Sequence, residues 1–277
     1  MSPIAQCCKL SKNCDICRAY EFSPSVKTTQ PQAERVTGTA PAGTHDEVAA
    51  ASAVREMFTA IAPRYDLLNH LLSFNVDRYW WWQTARSLTS ILERPSARVL
   101  DLCCGTADLT KALRRRADSK AATVGVDFSH AMLVRAAAKT SHESICFAEA
   151  DALQLPFRDG TFDLVASAFG FRNLANYDAG LKEMRRVLRP GGEVGILDFG
   201  EPGGLMGKLY RVYFKHVLPR VGTLISGVRG PYAYLPASVE RFPSPEEMLG
   251  RMRQSGFREV SWQPFTFGIA GLFRGKK

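Results

Sequence analysis

VLDLCCGTADL, residues 99–109, reads as a buried strand that closes on an acid and turns at a single glycine into a helix. Val99, Leu100 and Leu102 form the apolar run, Asp101 lies near its end, Gly105 makes the turn, and the helix is expected from about Leu109 to Arg116. Such a strand–turn–helix unit brings backbone N–H groups close to a ligand. Cys104 and Ala107 occupy positions where turns of this kind carry further glycines, which argues against a cradle for pyrophosphate. No Gly-Lys-Ser/Thr follows, so the segment is not a P-loop.

The same rhythm repeats downstream. TVGVDF (123–128) reads as a second strand, after which Ser129 is placed to cap a helix through Met132 and Val134. SICFAEAD (144–151) is the third strand and TFDLVASAF (161–169) the fourth. A helix through Leu181, Met184 and Val187 follows, then RPGG (189–192) as a turn and EVGILDF (193–199) as the fifth strand. Apolar strands alternating with helices indicate a parallel sheet covered on both faces. REVSWQPFTFGIAGLFRG (258–275) supplies two terminal strands. The expected fold class is α/β: a doubly wound, Rossmann-like sheet of seven strands, with helices before it and a helical insertion (about 203–242) after the fifth strand.

Ahead of the sheet, Val54, Met57, Phe58 and Ile61 recur at helical spacing, Pro63 interrupts, and Leu67, Leu68, Leu71 and Leu72 resume the pattern. Trp80, Trp81 and Trp82 then stand in succession. Neighbours on a helix point about 100° apart, so one patch cannot take all three. One of them is expected to face a ligand, a membrane or a partner, unless it packs on the domain flank.

In the insertion, Met206, Leu209, Tyr213, Val217, Val221 and Leu224 read as one apolar side, opposite Lys208, Arg211, Lys215 and Arg220. A basic amphipathic helix suits a membrane surface or a partner, and a solvated flank is the plainer alternative. SPEEMLGRMRQSGF (244–257) carries full helix punctuation: Ser244 as cap, Pro245 in the first turn, Glu247 closing a capping box and Gly256 as the stop.

The chain has 277 residues, 45% hydrophobic and 23% charged, which suits an ordinary globular protein. A net charge of +9 points to an acidic partner: nucleic acid, an anionic membrane surface or an anionic small molecule. No apolar run approaches the ~18 residues of a membrane-spanning helix, and the first residues lack the apolar core of a secretory leader. Residues 1–45 are polar and broken by Pro24, Pro31 and Pro41, so a disordered tail is expected there, with one domain over 46–277. Cys7, Cys8, Cys14 and Cys17 fall in that tail. A zinc site or a dithiol pair is conceivable at Cys14 and Cys17, but no second ligand pair follows. Cys103, Cys104 and Cys146 read as reduced thiols of a cytoplasmic enzyme, and no metal site is expected in the domain.

One acid stands at the end of each of three successive strands: Asp101, Asp127 and Asp151. Asp127 is placed to accept the two hydroxyls of a ribose, and Asp151 to receive an adenine amino group. The alternative is three capping aspartates. Together these segments resemble the class I S-adenosylmethionine methyltransferases. A narrower resemblance rests on RYDLLNHLLSF, DLCCGTADL, FGFRNL, LKEMRRVLRPGG and PYAYLPASVERFPSPEEM. These are similar to the ubiquinone and menaquinone biosynthesis C-methyltransferases, and most of all to the bacterial demethylmenaquinone methyltransferases. The resemblance implies S-adenosyl-L-methionine as cofactor, with Thr106, Asp127, Asp151 and Ala152 on matching cofactor-binding positions beside Asp101 and Gly105. Ala168 and Phe267 depart from the family, which carries serine and glycine there in many members.

The resemblance further implies methyl transfer to a ring carbon of a prenylated quinol, demethylmenaquinol first, with a benzoquinol or phylloquinone precursor as the alternative. Arg172 is the candidate for holding the ring oxyanion, with Asn173 and Tyr65 orienting the quinol or a water. Arginine keeps its charge in proteins, which makes it an electrostatic stabiliser rather than a base. The alternative for Arg172 is a structural salt bridge. Leu205, Leu209, Tyr213, Phe214, Tyr232 and Tyr234 are expected to form a lid over the prenyl tail, with the basic face on anionic lipid. That places the protein in the cytoplasm or peripheral to the inner membrane, with no nucleic-acid partner expected and with the capacity to form a homo-oligomer. An RNA methyltransferase lacks support, because no basic stripe with interleaved aromatics is present. A non-catalytic scaffold for quinone synthesis remains the third reading.

Overall fold

The computed structural model of the chain describes residues 37–200, 202–220 and 231–277. The four leading cysteines, Val221 and Leu224 therefore lie outside the described residues, as do the side chains of Leu205, Met206, Leu209 and Tyr232.

Seven strands form one sheet: β1 (Arg98–Leu102), β2 (Ala122–Asp127), β3 (Ile145–Glu149), β4 (Phe162–Ala168), β5 (Leu188–Phe199), β6 (Arg258–Phe265) and β7 (Ala270–Lys276). Their spatial order is β3-β2-β1-β4-β5-β7-β6, parallel except for β7, which runs antiparallel to both its neighbours. The order reverses between β1 and β4, and ligands of open α/β sheets bind at such a switch point, beyond the strands' carboxyl ends. β1 to β4 are buried almost throughout, which is why each reads as a continuous apolar run, whereas β6 at the sheet edge is largely exposed. The helices between strands are α4 (Asp108–Arg116), α5 (His130–Lys139) and α6 (Tyr177–Val187). They follow α1 (Glu47–Ile61), α2 (Tyr65–Leu72) and α3 (Val76–Ser87) of the leading region. After β5 come α7 (Gly204–Val212), α8 (Pro231–Arg241) and α9 (Pro245–Gln254).

Local chemistry explains several boundaries. Asp46 caps α1 by accepting the Ala49 N–H at 2.8 Å, and Pro63 turns the chain through a short 3₁₀ segment into α2. The capping box at Ser244 and Glu247 forms as its spacing requires. Ser129 does precede α5, but its hydroxyl makes no cap bond; it meets the Thr59 hydroxyl at 3.1 Å instead and joins α1 to α5. RPGG, expected as a turn, falls inside β5, where the pairing with β4 shifts register between Phe162 and Leu164.

The insertion also departs from the expected phase. Tyr213–Val217 is one π-helical turn, and the widened turn moves Phe214 and Leu218 into the interior while Val217 is exposed. Lys208, Arg211, Lys215 and Arg220 are exposed, as their basic face implies. At the other end, the ordering begins before residue 46: Gly38 and Thr39 donate backbone hydrogen bonds to Ala175 and Leu174, and Thr39 is buried. Cys103 and Cys104 are free thiols. Cys146 is disulfide-bonded, which departs from the expectation of a reduced thiol there.

Candidate active site

Three recesses meet beyond the carboxyl ends of β1, β2 and β4. The first is a crevice lined by Gly105, Asp127, Phe128, Asp151, Ala152 and Asn173. Gly105 sits at φ +52°, and a methyl group there would meet nothing closer than Tyr65 Cε1 at 3.8 Å. Asp127 braces the turn: its carboxylate accepts Gly105 N–H and Ser129 N–H, both at 2.9 Å. Its remaining lone pairs are free for a diol. Ala152 is buried, whereas Asp151 stands exposed at the rim and accepts Leu153 N–H at 2.8 Å. Gly170 closes the floor, because a Cβ there would lie 2.3 Å from Cys103 Cβ.

The second recess, on the other side of Gly105, is small and lined by Asp101, Thr106, Asn69, Tyr65 and Trp81. Asp101 is fully buried; Oδ2 accepts the Thr110 hydroxyl at 2.5 Å, while Oδ1 has no partner. Burial, the largest cause, pushes Asp101 up to about 7 and Asp127 up to about 6. The Thr106 hydroxyl is already engaged, because it donates to Asp66 Oδ1 at 2.5 Å.

The third recess is a chamber of about 280 Å³, largely aromatic, walled by Tyr65, Trp80, Phe169, Arg172, Phe199 and Tyr213. Trp80, Phe169 and Phe199 pack as a triangle with centroids 4.7–6.2 Å apart, and the Trp80 indole N–H donates to the Thr266 hydroxyl at 2.8 Å. Of the three successive tryptophans, Trp80 and Trp81 line this chamber and Trp82 is exposed. Asp77 also reaches the wall, buried, accepting from Arg78 N–H and paired with His70 Nδ1 at 2.9 Å.

Arg172 lies on the short 3₁₀ turn after β4, with Nη1 donating to the Phe169 carbonyl and to Asp198 Oδ1, the latter at 3.1 Å. Its guanidinium sits 5.1 Å from the Phe199 ring centroid, and its buried Nε–H has no partner. Asn173 points the other way, into the crevice: Nδ2 donates to the Phe169 carbonyl at 3.3 Å and Oδ1 accepts the Tyr234 hydroxyl at 3.0 Å. Arg172 and Asn173 thus hold one carbonyl from two recesses. Tyr65 and Phe169 border all three recesses and so form the wall that crevice and chamber share. Burial raises the Tyr65 phenol, with Asn69 and Arg172 pulling weakly against it, so the hydroxyl stays protonated at neutral pH.

The donor set fits an S-adenosyl cofactor: a braced acid for a diol, an apolar slot beside it, and an unpaired buried carboxylate oxygen suited to an ammonium. Such a crevice on this strand order defines a Rossmann-like, S-adenosylmethionine-dependent methyltransferase. Solved structures of that class share the fold, including a methyltransferase from Thermotoga maritima (TM-score 0.56, 18% identity, 80% of this chain and 98% of that one). A second, from Aquifex aeolicus, has a TM-score of 0.53 at 18% identity over 72% of this chain and 91% of that one.

The chain belongs to the ubiE/COQ5 methyltransferase family, whose model matches residues 46–277. It is 50% identical to the demethylmenaquinone methyltransferase of Deinococcus radiodurans, over 81% of this chain and 92% of the relative. The Thermus thermophilus protein of the same name is 49% identical over 80% of this chain and 100% of the relative. The ubiquinone/menaquinone biosynthesis C-methyltransferase of Geobacter sulfurreducens is 43% identical over 81% of this chain and 88% of the relative.

Asp198, Phe199, Phe169 and Asp66 were not singled out by sequence. Asp198 closes EVGILDF as Asp101 and Asp127 close their strands, and that shared position was the available signal.

Proposed function

We propose that the protein methylates a ring carbon of a prenylated quinol, demethylmenaquinol being the acceptor that its relatives' names favour. The observation that carries the reading is the chamber: apolar, aromatic, adjoining the cofactor crevice at Tyr65, and holding one guanidinium with an unused N–H. S-adenosylmethionine, when bound, supplies an electrophilic methyl group. The protein's task is to make a ring carbon nucleophilic and to hold it in line at roughly 3–3.5 Å.

Deprotonation of a neighbouring ring hydroxyl pushes charge onto that carbon. Arg172 stabilises the oxyanion through its free N–H, at a site dry enough for the interaction to count. Tyr65, kept neutral by burial, donates a hydrogen bond to the ring oxygen, and the proton that the ring hydroxyl loses passes to water. Asn173 acts from the crevice side by fixing the Phe169 carbonyl against which Arg172 is also set. Gly105, Asp127, Asp151 and Ala152 hold the cofactor's nucleoside, Asp101 its ammonium end, and Thr106 supports the turn.

The prenyl tail leaves over Phe74, which lines the chamber and is 75% exposed. Leu67 and Leu71 are exposed on α2, and Lys208 and Arg211 on α7, so this face suits an anionic membrane surface at about 1 kcal/mol per well-placed basic residue. Among the described residues no helix is long and apolar enough to cross a membrane.

An acceptor panel tests the reading. Labelled cofactor is offered with chemically reduced demethylmenaquinone, a demethylated benzoquinol or RNA, and label is counted in each. Label in the naphthoquinol is expected; label in RNA alone, or cofactor binding without turnover on any acceptor, overturns it. Flotation with anionic vesicles at low salt tests the membrane face, and failure to float overturns that part.

A further inference from the structure

Asp66 follows Tyr65 on α2. Its Oδ1 accepts the Thr106 hydroxyl at 2.5 Å, and its Oδ2 accepts Lys139 Nζ at 2.9 Å. Lys139, the last residue of α5, also donates to Asp108 Oδ1 at 2.5 Å. Four side chains from α2, from the turn after β1, from the start of α4 and from the end of α5 therefore meet beside Gly105. Lys139 and Asp108 are mostly shielded from solvent, and a shared network of this kind holds better than isolated surface pairs.

The rest of α2 offers little grip on that turn. Leu68 is its one buried residue, and it packs with Phe214, Leu218 and Val239 of the insertion in a cluster that Phe199, at the end of β5, also joins, away from the turn after β1. Leu67 and Leu71 are exposed. Yet α2 contributes Tyr65 and Asn69 to the roof of the recess that holds Asp101. The polar cluster is what seats this roof.

We propose that Asp66, Thr106, Asp108 and Lys139 form a latch that seats α2 on the cofactor turn, making Asp66 a positioning residue that acts through Tyr65. The part played by Tyr65 rests on the function proposed above.

The test uses the full chain with Asp66→Ala, Asp66→Asn, Lys139→Arg, Tyr65→Phe and the Asp66→Ala/Tyr65→Phe double variant. In ligand-free protein, amide hydrogen exchange over residues 65–72 is expected to rise about 10-fold or more in Asp66→Ala, with β1 to β5 unchanged. Lys139→Arg retains the wild-type pattern, because its charge and donors persist. Affinity for S-adenosylhomocysteine falls about 10-fold in Asp66→Ala by calorimetry. In kcat the double variant is expected to equal Tyr65→Phe alone, since a residue acting through Tyr65 has nothing left to act on. Asp66→Asn, which keeps shape and one acceptor, carries the same readouts should the alanine variant fail to fold. Unchanged exchange over 65–72, or losses of kcat that multiply in the double variant, overturns the proposal. Raised exchange together with a Tyr65→Phe variant of normal kcat upholds the latch and refutes the reading of Tyr65 instead.

Discussion

Arg172 and Asp198 are joined twice: Nη1 lies 3.1 Å from Oδ1, and the arginine's own backbone N–H donates to Oδ2 at 3.0 Å. The end of β5 thereby anchors the loop after β4, and both groups are buried. Burial raises Asp198, and Arg172 opposes that rise. The salt-bridge alternative and the oxyanion reading for Arg172 are therefore compatible, since one nitrogen serves the pair and Nε–H remains.

Removing the arginine should cost stability as well as rate. Arg172→Ala strands a buried carboxylate, so a loss of about 3–5 kcal/mol is expected in denaturant titration. Arg172→Met combined with Asp198→Asn should recover part of that loss and none of the turnover. Recovery of turnover in the double variant would show that the pair is structural only.

Asp101 and Asp127 set a pH dependence. Both are raised from 3.8, to about 7 and about 6, chiefly by burial. The folded chain thus holds these protons more tightly than the unfolded chain. Their contribution to stability is full below about pH 4 and lost as pH rises through about 6 and about 7. The Tm of ligand-free protein should fall between about pH 4 and about pH 7, and Asp101→Asn should flatten part of that slope. A cationic ligand favours ionised Asp101, so S-adenosylmethionine should stabilise the protein more at the upper end. Equal stabilisation across the range would contradict the placement of Asp101 beside the ammonium.

Gly105→Ala separates folding from binding. The position has room, with 3.8 Å to Tyr65 Cε1, but its φ of +52° strains a side chain. A destabilisation of about 1–2 kcal/mol is expected, with cofactor affinity reduced at least about 10-fold because the methyl group enters the gap between turn and Tyr65. Calorimetry on the folded variant checks this, and unaltered affinity would move the cofactor elsewhere.

Trp80 discriminates the two ligands. It builds the chamber with Phe169 and Phe199 and does not border the crevice. Trp80→Leu should raise KM for the quinol about 10-fold or more while KM for S-adenosylmethionine stays within about 2-fold. Equal increases in both would place Trp80 in general packing.

Much of the fold was legible because β1 to β4 are apolar runs ending in turns, and because Asp127 ends β2, while Asp151, read as the end of the third strand, lies two residues beyond β3. The chamber was not legible. Trp80, Phe169 and Phe199 come from α3, the end of β4 and the end of β5, and no local pattern relates them. The same holds for Asp66 and Thr106, which lie 40 positions apart. Ser129 shows the limit of cap rules: the residue type was right for a cap, but a tertiary partner, Thr59, took the hydroxyl. In the insertion a single π-helical turn shifted the buried face from Val217 to Phe214 and Leu218, a phase change that a 3.6-residue period does not foresee.

The most direct measurement is methyl transfer to demethylmenaquinol by the wild-type protein and by Arg172→Lys, side by side, with the product's methyl position read by NMR. Lysine keeps the charge but loses the planar fork. A ring-carbon methyl is expected from the wild type, with a rate about 100-fold lower in the variant at unchanged affinity for S-adenosylhomocysteine. No methylated quinol from a wild type that binds cofactor, or a lysine variant as fast as the wild type, would contradict this expectation.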